Sequence, residues 1–237
     1  MERQRGSEIH HRTAPEDLLR CNVPCLRVAG NGCPGLGAFD KLGRICGAAE
    51  MDYRICPSWV GYLLLNPLRK LLENPDKILN RFIQEGMTVL EPGCGMGYFT
   101  LPMARMVGPR GRVVAVDIQS KMLSALNERA QKAGLLERIE IRQAETERLG
   151  VEDFSGKVDF AAALHMVHEV PDPVSFFTQI WKALKPGGQL LVVEPKGHVS
   201  QNQLEQTVSV AEKVGFRPER LFRNLAGRGV LLAKPSM

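Results

Sequence analysis

The chain has 237 residues, which is enough for one domain with a substantial apolar core and a smaller appendage. Its apolar content of 44% is ordinary for a globular protein, and its net charge of +5 is scattered rather than gathered into basic runs. The scatter makes nucleic acid an unlikely partner. The sequence shows neither an apolar stretch of about 18 residues nor an amino-terminal signal pattern, which predicts a cytoplasmic protein that does not enter a membrane.

The first 50 residues are rich in Gly, Arg and His and lack a sustained hydrophobic period, which predicts an irregular amino-terminal arm over 1–50. Most of the six cysteines lie in or just after this arm: Cys21, Cys25, Cys33, Cys46 and Cys56. Their spacing contains no C-x-x-C pair, so it favours free thiols over a structural zinc, and we predict no metal site.

Residues 51–85 are predicted to form a helical cap. Asn66-Pro67 and Asn74-Pro75 each place a capping Asn before a Pro at the first helical position, which predicts helices over Pro67–Leu72 and Pro75–Gln84.

Strand and helix patterns alternate through the predicted core, residues 86–237. The strands are expected at Thr88–Glu91, Arg112–Asp117, Ile139–Arg142, Val158–Leu164 and Gln189–Glu194, followed by a hairpin of Arg217–Arg223 and Val230–Ala233. The helices are expected at Tyr98–Val107, Lys121–Ala133, Val174–Leu184 and Gln201–Val214. This alternation predicts an α/β fold with a doubly wound, mostly parallel sheet of seven strands.

A glycine turn joins the first strand of this core to the next helix. Gly93, Gly95 and Gly97 lie two residues apart, and Glu91 precedes the first of them by two. A dinucleotide fingerprint would need a third glycine at position 98, where the chain has Tyr98. An acid in this place would repel a pyrophosphate and suits a cationic ligand, such as the amino acid end of S-adenosylmethionine.

On this turn and the ordered elements over about residues 86–235, the chain resembles the class I S-adenosylmethionine-dependent methyltransferases. It is most similar to the small stand-alone enzymes related to the ubiquinone/menaquinone-biosynthesis C-methyltransferases. The resemblance implies a Rossmann-like methyltransferase fold, methyltransferase activity and S-adenosylmethionine as the cofactor. It also implies that Glu91, Gly93 and Gly95 neighbour the methionine amino group.

Further ligand-binding residues are expected at the carboxyl ends of the other strands, where such sheets bind their ligands. Asp117 ends the second strand, 20 residues after Gly97, and suits the two ribose hydroxyls; Ile118 would cover one face of the adenine. The resemblance implies that an acid after the third strand accepts from the adenine amino group, and Glu145 is the candidate with Glu147 as its competitor. Leu164, the last residue of the fourth strand, completes the predicted cofactor set.

The turn after the fourth strand carries two candidate catalytic residues, His165 and His168. Imidazole titrates near neutrality and suits a general base, although each histidine could instead make structural hydrogen bonds. Glu169 and, from the end of the neighbouring fifth strand, Glu194 and His198 are expected close by.

The methyl acceptor is left open. A small molecule is the first expectation, because the pocket must form from residues 50–80 and the turns after the fourth and fifth strands. A soft acceptor such as arsenite, bound by Cys46 and Cys56, is an alternative. A non-catalytic protein that binds S-adenosylmethionine on the same fold is another.

Overall fold

The computed structural model describes residues 65, 69–223 and 227–236. The predicted arm, the five cysteines before residue 57 and the Asn66-Pro67 helix start lie outside these residues. The helices that it describes are α1 (Arg69–Leu72), α2 (Pro75–Leu79), α3 (Thr100–Met106), α4 (Ser120–Lys132), α5 (Pro173–Ala183) and α6 (Gln201–Val214). None of the helices in these ranges is long and apolar enough to cross a membrane.

A single sheet organises the described part of the chain. Its seven strands are β1 (Thr88–Pro92), β2 (Arg112–Asp117), β3 (Ile139–Gln143), β4 (Val158–Leu164), β5 (Leu184–Pro195), β6 (Arg217–Arg223) and β7 (Gly227–Ala233). They lie in the order β3-β2-β1-β4-β5-β7-β6, and β7 runs antiparallel to both of its neighbours. The predicted fold class, a doubly wound and mostly parallel sheet of seven strands, is confirmed.

Both faces of the sheet are buried, as expected for parallel strands covered by helices. Alternate residues of the central strands enter two separate apolar clusters, so that Leu90 and Val114 face one side while Val89 and Val113 face the other. Helices α5 and α6 cover the first face, and α2, α3 and α4 cover the second. This packing fixes the strands and therefore the turns at their carboxyl ends.

The largest differences from the predicted boundaries are at the end of α2 and at the start of β5. Asn74 caps α2 as expected, through bonds from the Asp76 and Lys77 N–H groups, but the helix ends at Leu79 and the chain continues in turns toward Gln84. The segment Pro186-Gly187-Gly188 comes before the predicted start of the fifth strand at Gln189, but it lies inside β5. There the pairing with β4 shifts between Val158 and Phe160, so the extra residues form a bulge rather than a turn.

Candidate active site

A cavity of about 680 Å³ opens at the carboxyl ends of β1 to β5. The sheet order reverses here, because β1 pairs with β2 on one side and with β4 on the other, and such a reversal leaves a crevice for ligands. All the predicted cofactor-binding and catalytic residues line this one cavity: Glu91, Gly93, Gly95, Asp117, Ile118, Glu145, Leu164, His165 and His168.

The glycine turn brings main chain directly to the cavity wall. Gly93 has a φ of +70°, and a Cβ at this position would lie 2.7 Å from the side chain of Met166. Gly95 has a φ of +52°, and a Cβ there would meet no atom within 4 Å. Only glycine adopts the two conformations without strain, and at Gly95 the missing side chain leaves open space for a ligand to approach the backbone.

Glu91 is a buried acid at the end of β1, with 2% of its surface exposed. Its Oε2 accepts a hydrogen bond of 2.5 Å from Thr100 Oγ1. Burial raises the pKa of Glu91 to about 8, against the opposing effect of the Thr100 bond, and the negative charge of Asp117 adds to the rise. In the protein alone this carboxyl is therefore mostly protonated at pH 7, and a cation beside it would favour its ionised form.

Asp117 ties the end of β2 to the glycine turn. Its Oδ2 accepts from the Gly95 N–H at 2.9 Å and its Oδ1 accepts from the Gln119 N–H at 2.9 Å. Burial raises the pKa of this carboxyl, and backbone hydrogen bonds from Gln119, Gly95 and Ile118 oppose the rise. A carboxylate has about four acceptor positions on its two oxygens, so ligand hydroxyl groups can still donate to it.

The segment after β3 forms the rim of the cavity. Glu145 and Glu147 both line it and both are exposed, with Thr146 between them. The Glu145 and Arg148 main chains exchange two hydrogen bonds, of 2.9 and 3.3 Å, which close this segment into a tight turn. The geometry brings both acids to the site and leaves the choice between them open.

His165 is held by an ion-pair chain that reaches back to α1. Its Nε2 bonds to Oε1 of Glu73, and Oε2 of Glu73 accepts from Arg69 Nε at 2.9 Å and Nη2 at 2.7 Å. Burial opposes ionisation of Glu73, but His165 and Arg69 outweigh it and lower its pKa. The carboxylate is then an acceptor, so His165 donates to it from Nε2, which leaves Nδ1 as the other ring nitrogen. That Nδ1 atom is buried and has no hydrogen-bond partner among the described residues.

The backbone of His165 is held in place as well as its side chain. Its φ of +61° is the only positive value among the described residues other than glycine, and its N–H donates to the Val193 carbonyl at 2.7 Å.

Glu73 and Arg69 were not among the predicted site residues. Their i, i+4 spacing indicates an ion pair on one helical face, but nothing in the sequence indicates the contact with a turn 92 residues away.

His168 makes a second and different pairing. Its Nδ1 lies 2.6 Å from Glu194 Oε2, and its backbone N–H donates to Oε1 of the same carboxylate at 3.1 Å. Glu194 is 1% exposed. The Glu194 hydrogen bond raises the pKa of His168, with burial opposing and the charges of Glu194 and Glu169 assisting.

The described residues offer neither an activated cysteine nucleophile nor a metal site. Cys94 is buried, and burial raises the pKa of its thiol, so it is not an activated nucleophile. Within the described ranges no three His, Cys, Asp or Glu side chains form a group able to hold a metal ion.

Comparison with known proteins identifies the family. A sequence model described as a methyltransferase domain matches residues 83–224, which is more than half of the chain. The chain belongs to the class I S-adenosylmethionine-dependent methyltransferase family. The ubiquinone/menaquinone biosynthesis C-methyltransferase of Enterobacter sp. (strain 638) is 35% identical to this methyltransferase over 112 residues, covering 47% of this chain and 44% of the relative. The chain therefore spans less than half the length of that curated relative.

Solved structures agree with the family. A methyltransferase of this cofactor class from Aquifex aeolicus is 26% identical, with a TM-score of 0.68, and the match covers 76% of this chain and all of that one. A putative S-adenosylmethionine-dependent methyltransferase from Methanococcus maripaludis, 17% identical with a TM-score of 0.64, shares the fold over 81% of this chain and 98% of its own.

The cavity of this methyltransferase fits the family's cofactor, S-adenosylmethionine. The buried Glu91 has a raised pKa that a neighbouring ammonium would relieve, and Asp117 offers lone pairs on two oxygens. The open space at Gly95 lets a ligand reach the main chain between these two acids. The donors and acceptors of the wall thus match a ligand with a cationic amino acid end and a ribose.

Proposed function

We propose that this protein transfers a methyl group from S-adenosylmethionine to a small-molecule acceptor of the cytoplasm. The observation that carries the proposal is that Glu91 and Asp117 lie on either side of one glycine turn. Asp117 accepts a hydrogen bond directly from the Gly95 N–H of that turn. S-adenosylmethionine supplies an electrophilic methyl group on a positively charged sulfur. The protein's part is to hold the reactants in line, exclude water and remove a proton from the acceptor where one is present.

Each cofactor-binding residue then has a defined task. Glu91 pairs with the amino group, Gly93 and Gly95 supply close main chain, and Asp117 accepts from the ribose hydroxyls. Ile118 and Leu164 supply apolar wall beside the ring and the reacting carbon, and Glu145 or Glu147 accepts from the adenine amino group.

The acceptor is expected at the other end of the cavity, beside the turns after β4 and β5. The size of the cavity is within the range of about 300–1,000 Å³ that small ligands occupy. The acids Glu169 and Asp172 lie in the wall beside the turn after β4, and they disfavour a phosphate backbone at this end of the cavity.

The alternatives differ in what they require. Capture of arsenite would use Cys46 and Cys56, which lie outside the described residues, while Cys94 is buried with a raised pKa. A non-catalytic protein would bind S-adenosylmethionine without consuming it.

Measurement of methyl transfer distinguishes these alternatives. Protein is incubated with S-adenosylmethionine labelled in the methyl group and a small-molecule extract, and label is followed into new compounds. We expect label in a low-mass product that depends on the protein. Tight cofactor binding without transfer of label to any compound, either in the extracts or in an incubation with arsenite, would contradict the proposed activity.

A further inference from the structure

The two histidines after β4 have different roles, and the difference indicates what kind of acceptor the enzyme uses. Resting on the function proposed above, we propose that His168 and Glu194 form a general-base pair that removes a proton from the acceptor. The acceptor then carries a hydroxyl group at or beside the atom that is methylated.

His165 is unsuited to this task. Glu73 occupies its Nε2, and its Nδ1 is buried without a hydrogen-bond partner among the described residues. Its hydrogen bond to Glu73, which also binds Arg69, instead connects the end of β4 with α1. Its positive φ holds the ring in this position. In this proposal His165 therefore has a structural role, and its assignment as a catalytic residue stays a prediction.

His168 has the arrangement of a base. Glu194 lies beneath it, almost fully buried, and engages both the ring Nδ1 and the backbone N–H. These two bonds fix the ring orientation and place the ring proton on Nδ1, since a carboxylate only accepts. The lone pair is then on Nε2, at the opposite edge of the ring, and His168 lines the cavity with about a quarter of its side chain exposed.

Charged and titratable groups face His168 from each side that the structure describes. Glu194 approaches from β5, Glu169 Oε1 lies 3.8 Å from Nε2 on the same turn, and the His198 ring stands edge-on at 5.9 Å. The two acids stabilise a positive charge on the imidazole. They therefore strengthen the base and hold the imidazolium that forms when it accepts a proton.

The proton transfer balances within the pair and the acceptor. The acceptor O–H bond breaks, its proton forms a bond to His168 Nε2, and the electron pair stays on oxygen. The resulting oxyanion is the nucleophile itself, or it donates electrons to an adjacent ring carbon that becomes the nucleophile. The new bond to the methyl carbon replaces its bond to sulfur, which keeps the electron pair, and on the carbon route the ring carbon then loses its own proton to solvent. Both routes need a hydroxyl group and neither needs an oxidant or a metal.

The test uses 4-nitrophenol, whose phenolate absorbs visible light, with the full chain saturated with S-adenosylhomocysteine. At about pH 6 free 4-nitrophenol is mostly protonated, so an increase in the phenolate band on adding protein reports the phenolate–imidazolium pair that the proposed proton transfer produces. We expect the band to rise with wild type and with Glu205→Gln, a control acid exposed on α6. We expect its loss in His168→Gln.

Glu194→Gln makes the test specific for positioning. The Gln oxygen still accepts from the His168 N–H, but its amide group donates to Nδ1 and moves the ring proton to Nε2. Nitrogen NMR of the imidazole should show this reversal of tautomer together with loss of the phenolate band, while folding and S-adenosylhomocysteine affinity are retained.

The outcomes separate the two proposals. No S-adenosylhomocysteine binding by wild type would contradict the proposed function. Normal binding with no phenolate band in wild type, or with an undiminished band in His168→Gln, would overturn the general-base pair alone.

Discussion

His165 Nε2 contacts Glu73 Oε1 although 92 residues separate the two along the chain. Through Glu73 the turn after β4 is joined to Arg69, whose guanidinium lies 4.1 Å from the ring centre of Tyr98. Tyr98 in turn donates from its hydroxyl to the Glu73 carbonyl at 2.6 Å. The short helix α1 is thus anchored on both the glycine turn and the turn after β4.

Replacing Glu73 by Gln should destabilise the protein, because it leaves Arg69 without its buried carboxylate. We expect a loss of about 2 kcal/mol in the free energy of unfolding, measured by urea denaturation at pH 7. The matched control is Glu85→Gln, which breaks an exposed pair with Arg110 and should cost at most about 0.5 kcal/mol.

The pH dependence of that difference has a defined sign. Because the folded-state pKa of Glu73 lies below its ordinary value of 4.5, its contribution is complete above pH 4.5 and is lost as the pH falls through the folded value. Equal losses of stability in both variants, or a Glu73→Gln effect that grows in acid, would contradict the ion-pair chain.

Cofactor binding should release a proton from Glu91. Its pKa of about 8 in the protein alone means that it is mostly protonated at pH 7, and a bound ammonium group should ionise it. Calorimetry of S-adenosylhomocysteine in two buffers of different ionisation enthalpy should therefore report release of about one proton, with affinity rising toward pH 8.

Glu91→Gln provides the control for this linkage. The variant should release no proton and bind about 1–3 kcal/mol more weakly. A raised folded-state pKa destabilises the ligand-free protein as the pH rises from 4.5 through 8, so the variant should also lose less stability over that interval than wild type. Proton release that persists in the variant would assign it to another group.

Asp117→Ala should weaken S-adenosylhomocysteine binding by about 1–3 kcal/mol, through loss of charge-assisted bonds to the ribose. It should also lower the free energy of unfolding by about 1–2 kcal/mol, because the Gly95 and Gln119 N–H groups lose their acceptor. Calorimetry and denaturant unfolding measure the two effects separately. Unchanged affinity would place the ribose contact elsewhere.

Glu145 and Glu147 form a matched pair for locating the adenine contact. Each is changed to Gln and binding of S-adenosylhomocysteine is compared with that of its inosine analogue, which lacks the amino group. We expect Glu145→Gln to lose the preference for adenine and Glu147→Gln to keep it. The reverse pattern would transfer the role to Glu147.

The sequence predicted the sheet well because the evidence for it is local and repeated. The buried runs of β2 and β4 and the Ser200 cap of α6 place their boundaries where they were expected. The predicted end of α2 was wrong. Phe82 and Ile83 continue the apolar stripe of this helix but lie beyond its last residue, and Phe82 stacks on Phe160 of β4. A periodic stripe reports burial and does not by itself report helical hydrogen bonds.

The site was predictable to the extent that strand order controls it. The nearness of His168 and Glu194 follows from neighbouring parallel strands, and the structure brings them within 2.6 Å. The Glu73 contact depends on how α1 docks on the core, which no periodicity or spacing encodes. The different environments of the two histidines depend on that docking.

The most direct test of the account is calorimetric titration of the protein with S-adenosylhomocysteine and, separately, with NAD. Glu91 and Asp117, on either side of the glycine turn, predict saturable binding of the first ligand at one site per chain. They predict no binding of NAD, because the Glu91 carboxyl offers a pyrophosphate no positive charge. Binding of NAD, or no binding of S-adenosylhomocysteine, would contradict the central claim that this cavity is a methyltransferase cofactor site.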